Sequence, residues 1–477
     1  MRFNILKKSN PGGTTTFNLA GGQAFTETPK LELASLMLTS MLKDQFYRTA
    51  DNTVTHLRKL IAGMPDKRFA AKAAIYARRE AGMRSITHLT AAEVAKSVKG
   101  EPWTKAFYEK VVRRPDDVLE VLACYVGSYG RPIPNSLKKG LGRALANFDA
   151  YQLAKYRKQE ADLSLVDAVN LLHPPHTPAL AALVKGELKP AETWESKLTQ
   201  AGQQAENDGE LSDLKKDAWA GLVRSRKIGY FALLRNLRNI LTDAPEVTAE
   251  AVAMLTDEKL IRQSLVLPFR FQTALDAVQA AGLPRASEVL AALSDAVDLS
   301  LANVPKFEGR TLVALDTSGS MAGRPMQIGS LFAATLVKAM DADLIQFSDD
   351  AAYMTLNRRD STLTLAKFIA SNARCAGTNF HSIFQKAKGP YDRIIILSDM
   401  QGWIGGHAPV QTFAKWKKDQ RCDPKVFSFD LQGYGTLQFP EKKIVCLAGF
   451  SDKTMDLLRM LDSDPQALIR AIEAVSL

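Results

Sequence analysis

The spacing of apolar residues changes once along this chain, near residue 305. Before that point, apolar side chains recur at intervals of three and four residues, as in Leu31, Ala34 and Leu38. This period places them on one face of a helix. Prolines and short polar turns separate such stretches, and strand patterns are absent. Residues 29–304 are therefore predicted to form an all-α module of short helices, packed as an α-solenoid of helix pairs.

After residue 305, short apolar runs alternate with amphipathic segments. The runs predicted to be strands cover residues 311–315, 344–347, 393–397, 426–429 and 444–447. Alternation of this kind is typical of parallel strands joined by helices that cover both faces of the sheet. Residues 305–477 are therefore predicted to be a doubly wound α/β domain. Residues 1–28, rich in Gly, Thr and Asn, are predicted to be an extended N-terminal arm.

Composition excludes several classes of protein. Hydrophobic residues make up 46% of the 477 residues, too many for a disordered chain. No apolar run approaches the ~20 residues of a membrane span, and the first residues lack an apolar stretch of signal-peptide length. The four cysteines are scattered without a C-x-x-C pair, which argues against a disulfide scaffold or a zinc knuckle. We expect a soluble, cytoplasmic protein without membrane partners.

The net charge of +11 is concentrated in two segments of the helical part. Residues 131–158 hold seven basic residues and one acid, and residues 218–242 hold five basic residues and no acid. Together these segments account for the whole excess. Basic residues gathered in this way can attract a polyanion. The candidate nucleic-acid contacts from charge are Arg131, Lys138, Lys139, Arg143, Lys155, Lys158, Arg224, Lys227, Arg235 and Arg238.

A candidate metal site follows the first strand of the α/β domain. Asp316, Ser318 and Ser320 form a D-x-S-x-S pattern in which alternate side chains face one point. Thr378, in a loop before a predicted helix, and Asp399, after a later strand, are expected at the same edge of the sheet. Carboxylate and hydroxyl oxygens are hard ligands that suit Mg²⁺. The structural alternative, without a metal, is a Gly-Ser turn after a core strand, with Asp399 capping a helix.

These five positions resemble the metal-ion-dependent adhesion site (MIDAS) of von Willebrand factor A domains, and the resemblance implies that all five serve the metal site. A Mg²⁺-dependent hydrolase with Asp316 as nucleophile is an alternative. The dehalogenase-type motif would place a second Asp two residues later, where this chain has Ser318. His381 could be nominated as a base, although a histidine in this position is more often a surface residue of its helix.

The helical part resembles the TROVE module that telomerase-associated proteins, vault proteins and the Ro autoantigen share. The residues that carry the resemblance are 10–13 (NPGG), 171–174 (LLHP), 231–237 (FALLRNL) and 267–270 (LPFR). A TROVE module followed by an A domain is the architecture of the Ro autoantigen and its bacterial relatives, and the resemblance covers about residues 10–475.

The resemblance implies a monomeric ring of HEAT-like helical repeats, closed by the A domain. The family binds small noncoding Y RNAs on an outer basic surface and takes single-stranded ends of misfolded RNAs into the central hole. Bacterial relatives assist exoribonucleases in RNA maturation or decay. The family's positions linked to RNA ends match Lys155-Tyr156 and His173. His173, which precedes two prolines, could equally be a structural residue at a helix end.

The sequence therefore favours a non-catalytic RNA-binding protein of the Ro type that acts in RNA quality control. Its predicted partners are a small structured noncoding RNA, single-stranded RNA ends and an exoribonuclease, and its predicted cofactor is Mg²⁺. Two alternatives stay open: a protein-interaction scaffold that uses the metal site, and the Mg²⁺-dependent hydrolase. RNA affinity that falls with salt distinguishes the first alternative, and turnover lost in Asp316→Ala distinguishes the second.

Overall fold

The computed structural model describes residues 15–26, 28–39, 50–156, 163–189, 194–405, 409–431, 436–438, 444–448 and 467–477. The chain forms two compact units. The first unit contains residues 1–97, 306–357 and 366–477, and the second contains residues 98–305 and 358–365. The first four helices thus pack with the strand-rich part of the chain. This grouping differs from the predicted division at residue 305, which stays a prediction about domains.

Most of the described residues are helical, and no described helix is long and apolar enough to cross a bilayer. The helices of the first unit that precede residue 98 are α1 Pro29–Thr39, α2 Ala50–Gly63, α3 Lys67–Arg79 and α4 Ser85–Ser97. They are followed by α5 Thr104–Val111, α6 Pro115–Tyr129, α7 Asn135–Ala146, α8 Ala150–Lys155, α9 Leu165–Leu172, α10 Pro178–Lys185, α11 Trp194–Gln204, α12 Asp208–Arg224, α13 Tyr230–Asp243, α14 Thr248–Leu255, α15 Glu258–Ser264, α16 Gln272–Ala281 and α17 Ala286–Ser300. The remaining described helices are α18 Arg324–Met340, α19 Thr362–Ser371, α20 Phe380–Lys386, α21 Val410–Asp419 and α22 Ala467–Glu473.

The second unit is built from helices joined by short turns, as the three- and four-residue spacing predicts. A continuous core lies among α12 to α17. There Trp219 is fully buried, stacks on Trp194 at 5.8 Å between ring centroids and donates a hydrogen bond from Nε1 to Asp243. Residues 159–216 are rich in acidic side chains, yet α9 to α12 occupy most of the described part of this stretch. Capping side chains such as Asn207, which accepts from the Glu210 amide, start these helices in spite of the local charge.

The described residues contain nine strands, which form two sheets. They are β1 Thr15–Phe17, β2 Gln23–Thr26, β3 Thr311–Asp316, β4 Asp343–Phe347, β5 Ala351–Tyr353, β6 Arg393–Ser398, β7 Lys425–Asp430, β8 Thr436–Leu437 and β9 Ile444–Ala448. Strands β1, β2 and β8 pair antiparallel, so the described part of the N-terminal arm is a hairpin. The larger sheet has the order β5-β4-β3-β6-β7-β9.

The larger sheet confirms the predicted α/β architecture, with one correction. Strands β4, β3, β6, β7 and β9 run parallel, but β5 pairs antiparallel to β4 at the edge. The pattern missed β5 because a three-residue edge strand carries too few positions to show a period. Strands β3 and β6 are buried along their whole length, as continuous apolar runs in a parallel sheet require.

The strand order reverses between β3 and β6. The connection from β3 leads outward to β4 on one side, whereas the chain later returns to β6 on the other side. In open α/β sheets this reversal leaves a crevice at the carboxyl ends of the two strands, where ligands bind. Asp316 ends β3 and Ser398 ends β6, so the candidate metal residues lie at this crevice.

Candidate functional site

The two strands at the switch point bring Asp316 and Asp399 to one buried edge. Leu315 pairs with Leu397 in register, so Asp316 lies beside Ser398. The Ser398 hydroxyl donates to Asp316 Oδ2 at 2.5 Å, and the Ser318 amide donates to Asp316 Oδ1 at 2.8 Å. Both hydrogen bonds hold the Asp316 carboxylate in one orientation.

The hydroxyl residues converge on the same edge. The loop after β3 turns through a short 3₁₀ helix, Gly319–Met321, which places the Oγ atoms of Ser318 and Ser320 3.3 Å apart. Ser318 forms a bridge with Ala376, so the loop that carries Thr378 lies alongside. Ser318, Ser320 and Thr378 are all at most 6% exposed. The structure therefore brings all five predicted metal residues to one rim, and the alternation argument for Ser318 and Ser320 agrees with their geometry.

Asp399 carries the clearest sign of a missing partner. It is fully buried, and its Oδ2 atom accepts no hydrogen bond from any described residue. Its Oδ1 atom accepts from the Gln401 amide at 3.2 Å. A buried carboxylate oxygen without a partner is costly, so a group that compensates its charge is expected there. Asp399 is not a helix cap, since the next helix, α21, begins only at Val410.

Burial dominates the electrostatics of the two carboxylates. Desolvation, followed by the nearby charge of Asp399, raises the pKa of Asp316 to about 7. Desolvation also raises the pKa of Asp399 above its usual value. Two buried carboxylates at one edge stay ionised together only if a cation lies near them. The donor set of two carboxylates and three hydroxyls fits a hard divalent cation such as Mg²⁺.

Sequence reasoning missed two residues of this site. Ser398 orients Asp316, and Gln401, also fully buried, donates from Nε2 to the Asp399 carbonyl oxygen at 3.1 Å. Their closeness to Asp399 in the sequence was the available signal. His381, the alternative base, is only 6% exposed, and its Nδ1 pairs with the Thr412 hydroxyl at 2.8 Å. The expectation that it lies on its helix surface is wrong.

The first basic segment presents its cations on α7. Gly140 packs so close to Tyr108 of α5 that an added Cβ would lie 2.6 Å from the Tyr108 Cβ. This contact turns Lys139 and Arg143, one helical turn apart, toward solvent. Lys138 is half-buried, and Arg131, before α7, is exposed. None of these four cations forms an ion pair with a described residue.

The second basic segment lies on α12, α13 and the turn between them. Arg235 and Arg238 are exposed, and no described carboxylate pairs with either of them. Arg224 instead pairs with Glu250 at 3.7 Å. Lys227 is exposed but lies beyond the end of α12 at Arg224, because Arg226 adopts a left-handed conformation with φ 50°. Arg224 and Lys227 therefore do not share one helical face.

The residues implied by the family's RNA-end contacts lie near helix ends. Lys155 ends α8 and is exposed, with Nζ 5.8 Å from the centre of the Tyr156 ring. Lys158 lies outside the described residues. His173 is exposed and caps α9 in the left-handed conformation, with φ 48°. The structure therefore gives His173 a structural position and leaves its imidazole accessible.

Comparison with known proteins relates this chain to a protein family. The TROVE domain family model matches residues 31–185 and 182–316. Telomerase protein component 1 of Rattus norvegicus is 26% identical over 140 residues, which cover 28% of this chain and 5% of that protein. Its Mus musculus counterpart is 25% identical over 293 residues, which cover 44% of this chain and 11% of that protein. The chain thus spans only a small part of the length of these relatives.

Among solved structures, the crystal structure of the Deinococcus radiodurans Ro (RSR) protein is similar, with a TM-score of 0.61 and 18% identity. The similarity covers 93% of this chain and 99% of that one, which confirms the predicted fold. Because the family model also matches more than half of its residues, the chain belongs to the TROVE domain family.

Proposed function

We propose that this chain is a non-catalytic RNA-binding protein of the Ro type. The observation that carries the proposal is the set of exposed cations on α7 and α13 without described acidic partners. Structured RNA is bound mainly through phosphates and 2′-hydroxyls, which arginine and lysine contact without reading sequence. A basic groove also follows single strands. The fold similarity to a Ro protein supports this choice among polyanions.

The ligands proposed are a small structured noncoding RNA and single-stranded RNA ends, in RNA quality control or decay. An exoribonuclease is proposed as the partner that processes the bound RNA, in the cytoplasm. In this view the protein holds RNA and the partner performs the chemistry. Lys155 and His173 are proposed to contact the single-stranded end, since both side chains are exposed.

The test is a fluorescence-anisotropy titration with a structured small RNA that carries a single-stranded tail, at several salt concentrations. The variant Lys139→Ala/Arg143→Ala/Lys155→Ala/Arg238→Ala should bind at least roughly 100-fold more weakly than wild type, since each residue supplies a phosphate contact. The slope of log affinity against log salt should become shallower by about 0.7 for each single-strand phosphate that the variant leaves unbound. Equal affinity of the variant and wild type would overturn the assignment.

We also propose that the rim of β3 and β6 binds Mg²⁺ through Asp316, Ser318, Ser320, Thr378 and Asp399, as a site of the MIDAS type in a von Willebrand factor A domain. The unpartnered Asp399 Oδ2 supports this proposal, because a cation would compensate its charge. When bound, the ion would offer a coordination position to an acidic group of a partner. Turnover of RNA or phosphate esters that disappears in Asp316→Ala would instead favour the hydrolase.

A further inference from the structure

The described part of the N-terminal arm touches the loop that follows Asp399. The turn of its hairpin, residues 18–22, is closed by the Asn18 side chain, whose Oδ1 accepts from the Ala20 amide at 3.1 Å and the Gly22 amide at 2.9 Å. Asn18 is only 5% exposed although its neighbours Phe17 and Leu19 are 70% and 49% exposed. A buried polar residue between two exposed apolar residues indicates that Asn18 faces a specific partner.

That partner is the backbone next to the metal site. Asn18 Nδ2 donates to the Gly402 carbonyl oxygen at 2.6 Å, and the Leu19 amide donates to Gln401 Oε1 at 2.7 Å. Gln401 in turn donates from Nε2 to the carbonyl oxygen of Asp399 and from its amide to Asp399 Oδ1. An unbroken series of hydrogen bonds therefore connects the arm to the Asp399 carboxylate, whose Oδ2 atom accepts no hydrogen bond from a described residue.

The backbone of the arm also lies very close to the backbone of the loop at residues 402–403. A Cβ atom on Gly22 would lie 1.9 Å from the Gly402 carbonyl oxygen and 2.7 Å from the Trp403 Cα. Backbone atoms of the arm and the loop thus meet directly, and only glycine fits at position 22. The backbone of Gly22 itself has no positive φ, so alanine at this position is excluded by the neighbouring loop alone.

We propose that docking of residues 18–22 onto residues 401–403 sets the metal affinity of the site by positioning Asp399. The inference rests on the proposed metal site. When the arm is docked, the side chain of Gln401 is fixed at both ends, and its amide and side chain hold Asp399 through Oδ1 and the carbonyl oxygen. When the arm is released, Gln401 loses one of its partners and the loop gains freedom that metal binding must then remove.

Linkage makes the proposal reciprocal. If docking strengthens metal binding by some factor, metal binding strengthens docking by the same factor. A role of the arm in general stability predicts no such reciprocity. The arm and the metal therefore report on each other, and two independent measurements must agree.

The first measurement is Mn²⁺ affinity of the full chain, from the free Mn²⁺ signal in electron paramagnetic resonance, with Mg²⁺ as competitor. Asn18→Ala removes the donor to Gly402, and Gly22→Ala removes no hydrogen bond but blocks the approach. Both variants should bind Mn²⁺ roughly 5- to 20-fold more weakly, a coupling of ordinary size for linked sites. Leu19→Ala is the matched control, because Leu19 contacts Gln401 through its backbone amide, and its affinity should equal that of wild type.

The second measurement is hydrogen exchange of residues 15–26, with and without Mg²⁺. In wild type and in Leu19→Ala, exchange should slow when Mg²⁺ is added, by the same factor by which Asn18→Ala and Gly22→Ala weaken Mn²⁺ binding. In Asp316→Ala, Mg²⁺ should not change the exchange rate. If wild type binds no Mn²⁺, the proposed metal site itself is wrong. If wild type binds Mn²⁺ but Asn18→Ala and Gly22→Ala bind it equally well, or exchange ignores Mg²⁺, only the role of the arm is overturned.

Discussion

The candidate metal centre and the basic helices of the second unit use charge in opposite ways. At the metal centre two carboxylates are fully buried, and hydrogen bonds from Ser318 and Ser398 orient one of them. On α7 and α13 most of the cations are exposed, and none of them forms an ion pair with a described carboxylate. The first arrangement suits a small ion of fixed geometry, whereas the second suits a flexible polyanion that is recognised by its charge.

This difference determines how each region should respond to substitution. A preorganised buried site loses its function when one ligand is removed, because the others cannot move to replace it. A set of exposed cations loses affinity in increments, since each cation contributes separately to binding. The following predictions test this contrast, beginning with the largest effect.

Removal of Asp316 should abolish metal binding and leave RNA binding intact. In wild type, Mg²⁺ at 100 times its dissociation constant should stabilise the fold by about 2.7 kcal/mol. In Asp316→Ala this stabilisation should vanish in thermal unfolding, while RNA affinity stays within about twofold of wild type, because a buried residue offers no phosphate contact. Asp349→Ala is the matched control, since Asp349 is an exposed aspartate after β4. A Mg²⁺ response that survives in Asp316→Ala would contradict the assignment.

The same contrast explains what could be predicted from sequence. All five residues of the candidate metal centre could be located, because D-x-S-x-S follows a buried strand and strand register then places Asp316 beside Ser398. Hydrogen-bond partners such as Gln401 could not be found, since Gln401 Oε1 accepts from the amide of Leu19, a residue 382 positions earlier in the chain. Local spacing predicts a site, but contacts between distant segments require the folded chain.

The basic helices were predicted less completely. Charge counting located the correct segments, yet it could not tell Arg235, which has no described acidic partner, from Arg224, which pairs with Glu250. The sequence also does not reveal where α12 ends. Arg226 adopts a left-handed conformation just after the helix, and no proline or glycine at that position signals the end. Helix ends are set by tertiary packing as well as by local propensity.

Metal affinity should fall as the pH falls through neutrality. Burial and the charge of Asp399 raise the pKa of Asp316 to about 7, so protons compete with the metal below that pH. Since each pH unit below the pKa raises the competing proton concentration tenfold, Mn²⁺ should bind roughly tenfold more weakly at pH 6 than at pH 8. Electron paramagnetic resonance at both pH values measures this. An affinity that stays constant between them would show that Asp316 is already ionised without the metal.

Two pairs of arginines of equal charge should contribute unequally to RNA binding. Arg235 and Arg238 are not ion-paired with described residues, whereas Arg224 and Arg226 pair with Glu250 and Asp257. Arg235→Ala/Arg238→Ala should weaken RNA binding roughly tenfold and reduce the single-strand salt slope by about 1.4, two phosphates at 0.7 each.

The matched variant Arg224→Ala/Arg226→Ala removes the same net charge, so its long-range effect on a polyanion is the same. It should weaken binding by less than about threefold, because exposed ion pairs already occupy these guanidinium groups and binding must first break them. Anisotropy titrations of both variants at three salt concentrations make the comparison. If both variants lose the same affinity, then net charge determines RNA affinity, and the ion pairing of each arginine does not.

The smallest expected effect separates the two roles of His173. Its left-handed conformation at the end of α9 costs free energy that glycine does not incur. His173→Gly should therefore stabilise the fold by about 0.5 kcal/mol, after the greater chain entropy of glycine offsets part of the gain. If the exposed imidazole also contacts a single-stranded RNA end, the same variant should bind a tailed RNA about two- to threefold more weakly but a blunt RNA as wild type does. Thermal unfolding and paired anisotropy titrations measure both quantities, and a stabilised protein with unchanged affinity for the tailed RNA would leave His173 only its role as a helix cap.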